Sequence, residues 1–122
     1  VVAMCGDGGF FLNLAELWTA VQERADVVFL VMNDNGYGVI KHIQDRMYEG
    51  RHYFGDLQSP DLEALAGVAK IPFERIGRAD EMGPALARAV AVDGPALVEV
   101  DMEAIGPYPP YFRPPPFVEE AK

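Results

Sequence analysis

Short continuous apolar runs alternate with amphipathic stretches along this chain. The runs VVAMC at 1–5 and VVFLVM at 27–32 are rich in β-branched residues, which is typical of strands that are buried on both faces. IPFERIG at 71–77 predicts a strand near a sheet edge, because Pro72 cannot donate a hydrogen bond to a neighbouring strand. ALVEVDM at 96–102 predicts the last strand.

Amphipathic stretches predict helices between these strands. The first helix follows the turn GDGG and has one apolar face, made of Phe11, Leu14, Ala15, Trp18 and Val21. The second helix follows the turn NDNGYG and directs three apolar side chains inward, those of Ile40, Ile43 and Met47.

Two further helices are predicted from capping residues. Ser59 and Pro60 are the expected N-cap and first residue of the third helix. Its apolar face consists of Leu62, Leu65 and Ala66. Asp80 is the expected cap of the fourth helix, whose inward residues are Leu86 and Val90.

Strands that alternate with helices predict an α/β fold. Right-handed crossovers then give a parallel sheet with helices on both faces, a three-layer, doubly wound arrangement. We expect residues 1–106 to form this domain, incomplete on its N-terminal side. The proline-rich stretch 107–122 is expected to be an extended tail, partly in the polyproline II conformation.

Composition narrows the classes of function. The chain has 122 residues, half of them hydrophobic, which suits one globular domain. Its net charge of −9 argues against nucleic acid as a partner, and no apolar stretch approaches the length of a membrane span. The single Cys5 favours a reducing compartment, the cytoplasm. Because the sequence begins inside a strand-like run and without Met, we expect it to be part of a longer chain.

Acidic or amide residues next to glycines follow two predicted strands, as GDGG after the first strand and NDNGYG after the second. Neighbouring parallel strands lie about 4.8 Å apart. If these two are adjacent, Asp7 and Asp34 come within reach of one ion. Oxygen ligands without His or Cys suit Mg²⁺ or Ca²⁺, and Mg²⁺ shares its coordination shell with phosphates. The pattern therefore indicates a metal that bridges the protein to a diphosphate.

Plainer interpretations of the same residues remain open at this point. Asp and Gly are ordinary turn residues, so both motifs are compatible with structural turns. A nucleotide- or flavin-binding domain without metal is another alternative. An EF-hand is excluded because Val31 and His42 stand where its first and last carboxylates belong. A dinucleotide-binding fingerprint is excluded because GDGGFF lacks the third glycine.

The two motifs together resemble the signature of thiamine-diphosphate enzymes. GDG is followed after 24 residues by Asn33 and Asp34, where that family has a paired Asn. The likeness is to the C-terminal, diphosphate-binding domain of the acetolactate synthase and benzoylformate decarboxylase group. It extends through NLAELWTAV, VVFLVMNDNGYGVIKHIQ, SPDLEALAGV and GPALVEV, which is nearly all of the chain before the tail.

The resemblance assigns roles by position. It implies that Asp7, Asp34 and the backbone carbonyl of Gly36 ligate Mg²⁺. The full set of implied cofactor-binding residues is Gly6, Asp7, Gly8, Gly9, Asp34, Asn35, Gly36 and Tyr37. Two positions depart from the family pattern. Asp34 replaces the usual Asn. Ile40, aliphatic as in the acetolactate synthase branch, stands where pyruvate decarboxylases carry a glutamate, which favours a carboligase or another branch over a simple decarboxylase.

The implied enzyme is a lyase or transferase that acts on a 2-keto acid, as a decarboxylase or carboligase. No catalytic residue is expected in this chain, because the activating glutamate of such enzymes comes from an N-terminal domain of a partner subunit. The chain alone should therefore be inactive. A homo-oligomer, dimer or tetramer, is expected, with self-association through a surface bearing Trp18, Tyr37 and Ile40.

A rival class is a peptide-binding interaction module. Pro107 and Pro110 form a P-x-x-P motif that an aromatic-lined groove of another protein could bind. His42 and His52, the two imidazoles of the chain, are expected to have surface or packing roles.

Overall fold

A computed structural model of the protein describes residues 1–106 and shows all four predicted strands. Their bounds are β1 Val2–Gly6, β2 Val28–Asn33, β3 Phe73–Ile76 and β4 Ala96–Asp101. They form one parallel sheet in the order β1-β2-β4-β3. The predicted edge position of IPFERIG is thus confirmed. The prediction that VVAMC is a buried strand was wrong, because β1 is the other edge of the described sheet and its Val2 and Met4 are exposed by 45% and 71%. Pro72 does not interrupt the sheet, because it contributes only its carbonyl, which accepts from Leu97 N–H at 3.0 Å.

Six helices connect and flank these strands in the described residues. Their bounds are α1 Asp7–Leu12, α2 Glu16–Gln22, α3 Gly38–Met47, α4 Leu62–Ala69, α5 Met82–Val90 and α6 Met102–Ile105. One side of the sheet packs against α5 and α6, with Val28 and Leu30 of β2 in that core. The other side packs against α1, α2 and α4, with Val31 and Leu97 at its centre. The predicted α/β class with helices on both faces is therefore confirmed.

The first predicted helix is in fact two helices with a break at residues 13–15. The break shifts the helical phase, so the buried side chains differ from the predicted face. Phe10, Leu17 and Ala20 are buried. Ala15 and Trp18 are exposed, Trp18 by 43% of its surface, whereas Phe11, Leu14 and Val21 of the same predicted face pack against the core.

The second predicted helix, α3, buries no residue at all. Ile40 and Met47 are exposed and Ile43 is half-buried, so the prediction of an inward apolar face was wrong. The physical reason is the position of α3 relative to the sheet. The first residues of α3 line a cavity at the carboxyl end of the sheet, whereas the helices that bury side chains lie on its faces.

The caps of the last two predicted helices also differ from expectation. Asp61, and not Ser59, caps α4 by accepting from Glu63 N–H at 2.9 Å and Ala64 N–H at 3.1 Å. The hydroxyl of Ser59 instead donates to Asp7. The apolar face of α4 is as predicted, with Leu62 and Ala66 buried and Leu65 half-buried.

Asp80 does not cap α5, because it lies inside a 3₁₀ turn, Ala79–Glu81, that precedes the helix. Its carboxylate accepts from Arg78 at 3.1 Å. The buried residues of α5 are Ala85 and Ala89, while Leu86 is half-buried and Val90 is exposed. The extra turn moves the start of the helix and with it the inward face.

The stretch 107–122, with its P-x-x-P motif, lies outside the described residues, and the domain boundary at 106 stays a prediction. No helix within residues 1–106 is long and apolar enough to cross a membrane.

Candidate functional site

A cavity of about 310 Å³ lies at the carboxyl ends of β1 and β2. The two strands are hydrogen-bonded neighbours, with Gly6 opposite Met32, so the adjacency that the metal hypothesis needs is present. All predicted cofactor-binding residues except Asn35 line this cavity, together with Met32, Gly38, Val39, Ile40 and Met102. Within the described residues, the lining includes neither His42 nor His52.

Asp7 is the most constrained polar residue of the cavity. It begins α1 directly after β1 and is only 1% exposed. Its Oδ2 accepts from Gly36 N–H at 3.1 Å and from the Ser59 hydroxyl at 3.0 Å. These bonds fix the carboxylate and join three separate segments of chain. Both use the same oxygen, and within residues 1–106 no N–H or O–H group donates to Oδ1.

Asp34 reaches the same cavity from the end of β2 and is half-buried. Its carboxylate packs on Gly38 so closely that a β-carbon at that position would collide with it. Burial and then the neighbouring charge of Asp7 raise the pKa of Asp34, and the positive charge of Lys41 opposes this rise. The two carboxylates thus destabilise each other, and a divalent cation between them would relieve the repulsion.

The turn from Asp34 to Tyr37 is held by backbone hydrogen bonds on both sides. The Tyr37 N–H donates to the Gly55 carbonyl at 2.8 Å, and the Leu57 N–H donates to the Asn35 carbonyl at 2.9 Å. This pairing does not use the Gly36 carbonyl, the backbone group that the resemblance assigns to the metal. Asn35 itself is exposed, with a left-handed φ of 53°.

Besides Gly38, two glycines of the motifs are required by close packing. A β-carbon at Gly8 would collide with the Tyr37 ring, and one at Gly36 would come within 2.7 Å of the Gly55 carbonyl oxygen. Gly9 has open space around it, because a β-carbon there would meet no atom of residues 1–106 within 4 Å. Gly8 and Gly36 therefore let the two turns approach each other, and Gly9 leaves backbone open to the cavity.

Lys41 and Ser59 are functional candidates that the sequence analysis missed. Lys41 lies one helical turn into α3, and its Nζ is 2.6 Å from the exposed carboxylate of Asp56. The hydrogen bond to Asp56 raises the pKa of Lys41, and Asp34 and Asp7 add smaller contributions in the same direction. The position of Lys41 soon after the NDNGYG turn could have marked it as a site residue in the sequence. No sequence pattern marks Ser59, because it is 52 residues from Asp7.

The donor set fits a hard cation that is shared with a ligand. Residues 1–106 contain no cluster of three or more His, Cys, Asp or Glu side chains able to enclose a metal. Two carboxylates and one carbonyl are few ligands, which suits Mg²⁺ because it usually completes its shell with phosphate oxygens and water. Open α/β sheets of parallel strands place their ligand sites in this position, outside the carboxyl ends of the strands.

Comparison with known proteins identifies the family. The family model described as thiamine pyrophosphate enzyme, C-terminal TPP binding domain, matches residues 1–100. The chain therefore belongs to this family, which confirms the resemblance seen in the sequence. Thiamine diphosphate with Mg²⁺ is the cofactor pair that membership implies.

Curated relatives point to the acetolactate synthase group. The chain is 35% identical over 105 residues to the acetolactate synthase large subunit of Haemophilus influenzae, covering 84% of this chain and 18% of the relative. It is 30% identical over 103 residues to the mitochondrial acetolactate synthase catalytic subunit of Saccharomyces cerevisiae, covering 84% of this chain and 15% of the relative. It is 31% identical over 109 residues to a putative thiamine pyrophosphate-containing protein of Bacillus subtilis (89% and 18%). The chain spans less than a fifth of the length of these relatives.

The raised pKa of Asp34 predicts a pH-dependent effect of Asp34→Asn. A carboxyl whose pKa is raised by folding stabilises the folded state below its ordinary value of 3.8, and this stabilisation is lost as pH rises through the raised value. In chelator, we therefore expect the variant to gain stability relative to the wild type between pH 3 and pH 7, measured by urea denaturation.

The matched control is Asp93→Asn, which removes an exposed carboxylate before β4, at the amino end of the sheet. Its stability relative to the wild type should show no such rise. A stability difference for Asp34→Asn that stays constant or shrinks as pH rises would contradict the electrostatic description of the site.

Proposed function

We propose that this chain binds thiamine diphosphate through a Mg²⁺ ion held by Asp7, Asp34 and the Gly36 carbonyl. It would serve as the cofactor-binding part of an acetolactate synthase-like enzyme that acts on 2-keto acids, in a reducing cytoplasm. One observation carries the proposal: two carboxylates at adjacent strand ends line one cavity, and within residues 1–106 neither has a cationic side chain at salt-bridge distance.

In this proposal, the residues of the chain bind the metal and orient the diphosphate. Asp7 offers Oδ1 to the metal while Gly36 and Ser59 hold Oδ2. Asp34 brings a charge where the family usually has a neutral Asn. Lys41 and the amino end of α3, which begins at Gly38, offset that charge beside the diphosphate. Gly8 and Gly9 let the diphosphate approach the backbone closely.

The cofactor supplies the carbon nucleophile and the electron sink for 2-keto acid chemistry. Among the described residues, Asp7 and Asp34 are the titratable acids of the cavity lining, and both are assigned to the metal. We therefore propose that proton transfer to the cofactor depends on a glutamate outside this chain and that the chain alone is inactive. The matched regions are only 15% and 18% of these relatives, which leaves room in them for such a domain.

The proposal predicts metal-dependent stabilisation by the cofactor. Mg²⁺ should raise the melting temperature of the chain, and thiamine diphosphate should raise it further only when the metal is present, because both bind the folded state. Asp7→Ala should abolish both shifts. Asp34→Asn should retain both, because an amide oxygen still ligates the metal and repels the diphosphate less. Thermal-shift titrations with and without chelator measure this.

Asp93→Ala is the control, since it removes an exposed carboxylate at the other end of the sheet and should leave both shifts unchanged. Cofactor stabilisation that persists in chelator, or in Asp7→Ala, would refute the metal bridge and favour a metal-free nucleotide-type site.

We further propose that the homo-oligomer forms through α3. Val39 and Met47 are exposed by 74% and 63%, and α3 buries no side chain. Of the expected contact residues, Trp18 and Ile40 are exposed and Tyr37 is half-buried. An apolar helix surface of this kind is typical of a subunit interface.

Sedimentation velocity at increasing concentration should show self-association of the wild type, and Met47→Asp should weaken it by placing a charge in the interface. Val68→Asp, which charges an equally exposed apolar position on α4, should have no effect. A wild type that stays monomeric, or equal effects of the two variants, would argue against this interface.

A further inference from the structure

We propose that Arg75 and Glu99 are positioning residues for the cavity, acting through the side chain of Asn33. They set which way the Asn33 amide faces, and the amide in turn holds the turn that carries Asp34 and Gly36. The inference rests on the proposed function for its effect on the metal. Its effect on the turn can be measured without any ligand.

Glu99 is a buried carboxylate that the cavity does not use. It lies in the middle of β4 and is only 6% exposed. Its Oε2 accepts from Arg75 Nε on β3 at 2.8 Å, and its Oε1 accepts from Asn33 Nδ2 on β2 at 2.7 Å. Arg75 and Glu99 are register partners, so one hydrogen-bonded row crosses three strands from the sheet edge to the end of β2. Burying such a charge is costly, which calls for a structural or functional reason.

The hydrogen bonds among Arg75, Glu99 and Asn33 can be arranged in only one way, because the first two residues have fixed roles as donor and acceptor. A guanidinium can only donate, and an ionised carboxylate can only accept. Glu99, held by Arg75, must therefore receive the NH₂ of Asn33. The Asn33 amide is nearly symmetrical in shape, but this contact forces its carbonyl oxygen to face the other way. There Oδ1 accepts from the Asn35 N–H at 3.2 Å.

The bond from the Asn35 N–H matters because Asn35 adopts a left-handed conformation, with φ of 53°. A side-chain oxygen that accepts from the N–H two residues later closes an Asx turn, which stabilises such a backbone. Asp34 lies inside this turn and Gly36 follows it. If the Asn33 amide were reversed, its NH₂ would oppose the Asn35 N–H, and both metal-ligand positions would lose their support.

The donor-to-acceptor direction of these hydrogen bonds predicts that Asn33→Asp has opposite effects in the wild type and in the Glu99→Gln variant. In Glu99→Gln, Arg75 retains the new side-chain oxygen, so the new NH₂ faces Asn33 and forces the reversed amide. In Asn33→Asp, the new carboxylate opposes that of Glu99. In the double variant, the introduced aspartate accepts both from the introduced glutamine and from the Asn35 N–H. The original direction of support is then restored.

The first readout is hydrogen exchange of the Asn35 amide, measured by NMR in the wild type and three variants without metal or cofactor. Glu99→Gln should reduce protection of this amide roughly tenfold, the loss expected for one hydrogen bond. Asn33→Asp keeps an oxygen that can accept from the Asn35 N–H, so it should reduce protection less, through repulsion from Glu99. The double variant should return protection to within about threefold of the wild type. Glu63→Gln, which neutralises an exposed carboxylate 3.9 Å from Arg75 but leaves Glu99 intact, should change nothing.

The second readout is the Mg²⁺ concentration that gives half-maximal thermal stabilisation with thiamine diphosphate present. It should rise roughly tenfold in Glu99→Gln and less in Asn33→Asp, and it should recover in the double variant. If Asn33→Asp acted only through its charge, it would change the half-maximal Mg²⁺ concentration in the same direction in the wild type and in the Glu99→Gln variant. A purely structural ion pair would lower stability without recovery of the Asn35 amide.

Unchanged Asn35 protection in Glu99→Gln, or no recovery in the double variant, would overturn the inference. If Glu99→Gln does not fold, folding of the double variant becomes the readout, and its failure to fold would also overturn it. A wild type that binds no metal would refute the proposed function. The exchange measurement would then still decide whether Glu99 orients Asn33.

Discussion

The repulsion between the carboxylates of Asp7 and Asp34 is the interaction on which the site depends. The parallel pairing of β1 with β2 places these side chains at neighbouring strand ends and prevents them from separating. Burial strengthens the effect, because fewer water molecules screen the charges. In the proposed function, a cation compensates the two charges, and the glycine turns leave room for the anion that accompanies it.

The rest of the structure supplies partial compensation and a rigid frame. Lys41 lowers the cost of the Asp34 charge from one side. Ser59 and the Gly36 N–H hold one oxygen of Asp7 from the other. The Asn33–Glu99–Arg75 row connects the cavity to the far edge of the sheet, so strand pairing and site geometry are parts of one hydrogen-bonded structure. Membership of the thiamine pyrophosphate enzyme family agrees with this construction.

The sequence predicted the strands and the cavity because both depend on local signals. Continuous apolar runs mark β1 and β2 as parallel strands, and GDGG and NDNGYG mark their ends. Only β2 is buried, because β1 lies at an edge of the described sheet. Helix faces were harder to predict. One break at 13–15 and one 3₁₀ turn shifted the phase of two helices, and α3 occupies the end of the sheet and not a face. The contacts of Ser59 and Glu99 bridge segments far apart in sequence, so they follow from the tertiary fold and leave no local pattern.

The central claim is that one divalent ion contacts both this chain and the diphosphate. Electron–nuclear double resonance with Mn²⁺ in place of Mg²⁺ tests it most directly, because coupling to phosphorus and to labelled aspartate carboxylates reports direct ligation. The account predicts both couplings in the wild-type chain with thiamine diphosphate, and loss of the carboxylate coupling in Asp7→Ala. Phosphorus coupling without any carboxylate coupling in the wild type would contradict it, because the metal would then be carried by the cofactor alone.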